Sequence, residues 1–167
     1  MTQYPVRATH AILVGGLPLF MEFEAAESSA ILPGDLVEFN TPGTDCRIKE
    51  AGVNTDFVIG VANIHPIAGA TPPRGGTRTV AFQARTALGV NGDQVEVIRG
   101  PIIVMLRIAT SEEIECGEYV QPAASGEVSA FECGTDSDCL RIAQALEDTA
   151  QDTTTFQWGL FALERCG

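Results

Sequence analysis

An all-β fold, a small barrel or sandwich, is what this sequence predicts, and three observations predict it. Short apolar runs recur along the chain, separated by Gly, Pro, Asn or Asp. Several of these runs alternate apolar and polar residues with period two, the pattern of a half-buried strand. No long amphipathic helical stretch interrupts them, and no strand–helix alternation suggests a doubly wound sheet. With 167 residues, 45% of them hydrophobic, the chain fits one domain with a real core and needs no disulfide staples.

The elements follow in order. Thr9 to Val14 is apolar and β-prone, and Gly15-Gly16 predicts a tight turn, since glycine accepts positive φ. Leu17 to Glu24 then returns, with Leu19, Met21 and Phe23 on one face and Glu22 and Glu24 on the other. Pro33-Gly34-Asp35 turns into a strand from Leu36 to Asn40, and Thr41 to Asp45 turns again. Asp56 to Asn63 is almost continuously apolar and predicts a strand buried on both faces, with Gly60 marking close packing or a bulge.

Residues 65–79, with three prolines, several glycines, Arg74 and Arg78, predict a long loop, read equally as a contact loop or a connection. Strands are expected at Thr79–Leu88, Gln94–Arg99 and Pro101–Ala109, with Ile102 to Leu106 in the core. Thr110 and Glu113 have capping-box spacing for one helical turn ending at Gly117. Tyr119–Pro122, Glu127–Glu132, Leu140–Glu147 and Phe156–Glu164 complete the strands. Leu140 to Ala150 also fits helical spacing through Ile142 and Leu146.

Charge narrows the function classes. Twenty-two acidic residues against ten basic ones leave a net charge of −12, and Lys49 is the one lysine. Such a surface repels phosphate backbones and anionic lipid, so nucleic-acid and membrane partners are not expected. Solubility and adaptation to a high-salt host are two open readings of the acidity. No apolar stretch approaches the roughly 18 residues of a membrane span, and the first residues lack a secretory layout, so synthesis in a host cytoplasm is expected.

Catalytic patterns are missing. The two histidines, His10 and His65, lie in an apolar strand and before Pro66, neither near a G-x-S-x-G turn. Asp136 and Asp138 lack the further oxygen ligands of a calcium loop. No phosphate-binding glycine motif occurs, and no pair among the acids is singled out for glycoside hydrolysis. No catalytic residue, cofactor or metal is expected, and the protein is read as a non-enzyme. The five cysteines form no C-x-x-C pair. Cys133 and Cys139 bracket a short loop that a disulfide would close, with reduced thiols as the default reading. Trp158, Phe20, Phe23, Phe39, Phe57 and Phe156 are read as core or interface packing.

A small element occurs three times: Pro33-Gly34-Asp35-Leu36-Val37, Asn91-Gly92-Asp93-Gln94-Val95 and Cys116-Gly117-Glu118-Tyr119-Val120. Glycine supplies the turn, a solvated acid follows, and Val points inward two residues on. Together with Phe57-Val58-Ile59-Gly60-Val61-Ala62, Arg141 to Glu147 and the closing Trp158 to Leu163, the order of these elements resembles the capsid decoration, or cement, proteins of tailed phages. The resemblance covers roughly residues 30–164. Ala143 stands where that family often has glycine, and the segment between Ala62 and Val80 is a long insertion.

The resemblance implies a β-barrel or β-tulip body (residues 9–167) with an extended N-terminal arm (residues 1–8). It implies a homotrimer on the capsid surface that bridges neighbouring major capsid protein subunits. Tyr4, Val6 and Arg7 of the arm, matched by position alone, and Arg74 and Arg78 of the loop are the contact candidates. Other virion parts share this composition: a turret, a head-fibre base or a tail module. A small barrel enzyme or ligand-binding module is the remaining alternative.

Overall fold

In a computed structural model the chain is described at residues 12–26, 31–41, 43, 45–55, 57–63, 94–134, 140–149 and 157–163. The expected N-terminal arm, the 65–79 loop and the Thr79–Leu88 strand lie outside these residues. The architecture is all-β. Among the described residues eleven strands run in order: β1 Leu13–Gly16, β2 Leu19–Glu24, β3 Leu36–Thr41, β4 Asp45–Glu50, β5 Val58–Ala62, β6 Gln94–Arg99, β7 Ile102–Ile108, β8 Tyr119–Pro122, β9 Val128–Ala130, β10 Ala143–Ala145 and β11 Gln157–Leu163. A 3-10 turn, Ala124–Gly126, precedes β9.

The strands form two sheets. Five of them, in the order β2-β6-β5-β3-β4, make a sheet that closes on itself. The closure is a parallel bridge from Ala25 to Ile48, with the Ala26 N–H donating to the Ile48 carbonyl at 2.8 Å. A closed sheet has no open edge to recruit foreign strands. The barrel is filled by Val37, Ile48, Ile59, Val95 and Val97, against which Phe23 and Phe39 pack. Those two rings meet edge to face, with centroids 5.6 Å apart.

The second sheet orders β1-β7-β11-β10-β8-β9, and Ile108 pairs with Val128 so that its far end curls back to β7. A second core lies where this sheet covers the barrel. It joins Leu36, Val58, Val61 and Ile98 of the barrel to Val104, Leu106, Ile108, Val120, Val128 and Phe161. Alternation makes both cores from the same strands: Leu36 faces one and Val37 the other.

The sequence-expected strands Gln94–Arg99 and Tyr119–Pro122 appear with the same bounds. β5 is buried along its whole length, and Gly60 sits at an irregular register, with Val37 opposite Gly60 and Glu38 opposite Val58. A Cβ at Gly60 would stand 2.5 Å from the Ile98 carbonyl oxygen, so close packing and a bulge coincide there.

Three expectations are corrected and one ambiguity is resolved. Gly15-Gly16 is not a hairpin turn: both belong to β1, which pairs with β7, while β2 pairs with β6. Gly16 adopts φ 100°, and a Cβ there would collide with the Pro101 carbonyl, so the positive φ serves a close strand crossing. The Thr110–Glu113 segment is a turn and not a helical one, since Ser111 sits at φ 71°, in the left-handed region. Of the two readings of the segment from Leu140, the strand holds at Ala143–Ala145, which lies between β8 and β11. Finally, Asp45–Glu50 is a strand, not just the end of a turn.

Candidate functional site

The two sheets meet around a buried cluster of charge. Asp35 stands at the entrance to β3, held there by the turn at Gly34, whose N–H donates to the Ala62 carbonyl at 2.8 Å. Its own carbonyl accepts from the Ala62 N–H at 2.9 Å. The barrel therefore fixes the Asp35 backbone on both sides. Arg107 comes from the second sheet, in β7 between Leu106 and Ile108. Glu127 follows the 3-10 turn that leads into β9.

These three side chains converge. The Arg107 guanidinium forks, donating from one nitrogen to Asp35 Oδ1 at 2.5 Å and from another to Glu127 Oε1 at 2.8 Å. The second Asp35 oxygen, Oδ2, accepts from the Leu32 N–H at 2.7 Å. The Asp35 side chain is 1% exposed, Arg107 5% and Glu127 13%. The junction is also stitched by backbone: Gly126 N–H to Ala51 O at 3.0 Å and Asn54 N–H to Pro122 O at 3.1 Å.

One cation serving two carboxyls in a dry place leaves a charge uncompensated. Burial, opposed by Arg107 and the Leu32 N–H, pushes Asp35 up to about 7, and the neighbouring Glu127 adds to the rise. Glu127 is also raised, by burial first, against the pull of Arg107. A carboxyl near neutrality is a candidate general acid or base. Here both of its oxygens are already engaged and the group is sealed from solvent, so what this arrangement does is orient one sheet on the other.

Gly126 completes the site. It adopts φ 73°, and a Cβ on it would lie 2.6 Å from Asp35 Cβ and 2.9 Å from the Leu36 carbonyl oxygen. Gly126→Ala should therefore strain the backbone and push the acid off Arg107. We expect a loss of about 2–4 kcal/mol in urea unfolding, more than an exposed left-handed glycine would show.

The sequence-predicted contact residues Tyr4, Val6, Arg7, Arg74 and Arg78 lie outside the described residues. Cys133 is an exposed free thiol, and Cys139, at the other end of the bracketed loop, lies outside them too. Cys46 and Cys116 are likewise exposed. Among the described residues no group of three or more His, Cys, Asp and Glu side chains is placed to hold a metal ion.

The ion cluster is not among the features the sequence predicts: Asp35 has the setting of a solvated turn acid, and the structure buries it. Glu118, in the third copy of that element, fits the expectation: it is exposed and accepts from the Glu115 N–H at 2.8 Å. Val37, Val95 and Val120 are all fully buried, as the element predicts. The signal for the cluster was Arg107 itself, a cation inside the most apolar strand of the chain. A second missed feature is apolar and exposed: Leu17 is 78% exposed, Leu19 58% and Phe20 50%, and Phe57 in another loop 57%.

No protein-family model matches the chain. No curated protein matches it either. Among solved structures, the chain is similar to the N base of the head fibre protein gp8.5 of bacteriophage phi29, seen in its crystal structure. The match covers 87% of this chain and 95% of that one, at 14% identity and a TM-score of 0.50. At that identity the likeness concerns the fold, which the two chains share over most of their lengths.

Proposed function

We propose that this protein is a structural component of a virion, seated on the outer face of a capsid. The observation that carries the reading is the fold shared, over nearly the whole length, with a phage head-fibre base. That likeness favours a role as the base of a projecting part. The glycine–acid–Val elements and their order support a second reading, a cement protein that bridges neighbouring major capsid protein subunits. Both readings need the same thing of the molecule, a stiff body. A closed barrel, a second sheet packed on it and a buried ion cluster at their junction supply that.

In this proposal the protein catalyses no reaction and requires no cofactor. Its partners are the major capsid protein and its own copies, as a homotrimer, and not nucleic acid or membrane. The net charge of −12 suits a surface that stays clear of packaged nucleic acid. Electron cryo-microscopy of particles made with and without the protein tests both readings. Difference density under a projecting fibre supports the base, and density bridging subunits without a projection supports the cement protein. Particles with no difference density, and no copies by quantitative gel, would refute a place in the virion.

A further inference from the structure

Two strand crossings run side by side where the chain passes between the sheets. One joins β1 to β2 through Leu17 and Pro18, and the other joins β6 to β7 through Gly100 and Pro101. The Leu17 N–H donates to the Pro101 carbonyl at 3.1 Å, which ties them together. This anchored backbone holds out the exposed Leu17, Leu19 and Phe20 side chains, and Pro101 beside them is exposed as well. Apolar side chains exposed singly need no explanation, but three within four residues on a fixed backbone do. Leu19 shares the parity of Met21 and Phe23 toward the barrel end, and Phe20 stands on the outer face with Leu17 just before the strand.

The same strand continues into acid. With Phe23 packed into the barrel, alternation turns Phe20, Glu22 and Glu24 outward, and both acids are exposed. The register sets Glu22 directly opposite Glu96 on β6. Like charges facing across a strand pair are unfavourable. Asn63 donates a hydrogen bond to Glu96, and an amide does not neutralise a carboxylate. Among the described residues the cation in register with this strand pair is Arg99, half-buried opposite Leu19 at its end and not at the acids, and the exposed Arg141 lies over the Tyr119 ring on the other sheet.

We propose that this apolar end and acidic ladder form the docking face for a capsid protein surface that presents an apolar side chain beside lysines or arginines. The proposal rests on the virion reading and names the face through which it acts. Charge selects the occupant. A second copy docked through the same face would bring Glu22, Glu24 and Glu96 against their own counterparts, on a chain whose net charge is −12. A basic rim relieves the Glu22–Glu96 opposition and lets Leu17 and Phe20 be covered.

The test is co-sedimentation of the purified full chain with capsids assembled from the major capsid protein encoded alongside it. Wild type is compared with Leu17→Ser/Phe20→Ser, with Glu22→Lys/Glu24→Lys and, as a matched charge change in the turn before β8 of the other sheet, with Glu115→Lys/Glu118→Lys. Circular dichroism and solution mass are recorded for each. The apolar variant should bind at least ten-fold more weakly. The ladder variant should also weaken ten-fold and lose most of its salt dependence, while the remote variant binds like wild type. Wild-type binding that survives both face variants overturns the docking face and leaves the virion reading standing. No wild-type binding to capsids overturns that reading, and the face with it. A wild-type oligomer that the apolar variant reduces to monomer shows that the face joins copies, which also overturns the proposal.

Discussion

Arg107→Met should cost about 3–5 kcal/mol of stability at pH 8, the scale expected when one partner of a buried ion cluster is removed. The methionine fills much of the space and leaves Asp35 and Glu127 facing each other without a cation. Both carboxyls sit where water does not reach them well. The loss should shrink on acidification, because protonating the two acids removes the repulsion that Arg107 offset. Urea unfolding of wild type and variant at pH 5 and pH 8 measures this. A loss below about 1 kcal/mol at pH 8 would show that the cluster contributes little. An equal loss at both pH values would assign the effect to packing.

The second large effect is the pH dependence of the wild type. Asp35 is raised from 3.8 to about 7 in the folded protein. Below about pH 4 the acid is protonated in both folded and unfolded chains, and it does not distinguish them. Between about pH 4 and 7 the folded state keeps the proton that the unfolded state has released. Stability at this site is therefore greatest at the acid end and falls as pH rises, levelling off above 7. At about 1.36 kcal/mol per unit the full span is of order 4 kcal/mol. Glu127 is raised as well and acts with the same sign. Other carboxylates contribute their own slopes, so the measurement is the difference between wild type and Asp35→Asn. The wild-type advantage should be largest near pH 4 and diminish through pH 7. A difference that stays flat from pH 4 to 8 would mean that Asp35 is ionised throughout.

Much of the fold was legible because strand patterns are local. β6 and β8 carry their alternation and their turn signals within a few residues, and the β5 glycine announced its own crowding. What failed depended on partners distant in sequence. Gly15-Gly16 has the composition of a hairpin turn, yet the strand before it finds β7 and the strand after it finds β6. β4 reads Asp-Cys-Arg-Ile-Lys-Glu, with Ile48 alone buried among its described side chains, so its apolar signal is one residue long. That residue nonetheless closes the barrel through Ala25. The ion cluster was illegible for a related reason. Asp35 obeys every local rule for a solvated turn acid, and its burial is imposed by Gly126 and Arg107, far along the chain. The docking face was half legible: the alternation of Leu19 to Glu24 was read correctly, but which apolar side chains would stay uncovered was not.

The pairing of β1 with β7 has a consequence for modularity. Every described strand between them, β2 to β6, belongs to the barrel, so the described part of the barrel leaves the second sheet at Gly16 and returns to it at Pro101. The two junctions lie within one hydrogen bond of each other. Domain insertions are best tolerated where the inserted ends emerge close together. Barrel and carrier sheet are thus joined where the chain leaves and returns, by the core they share, and by the Asp35 carboxylate on Arg107.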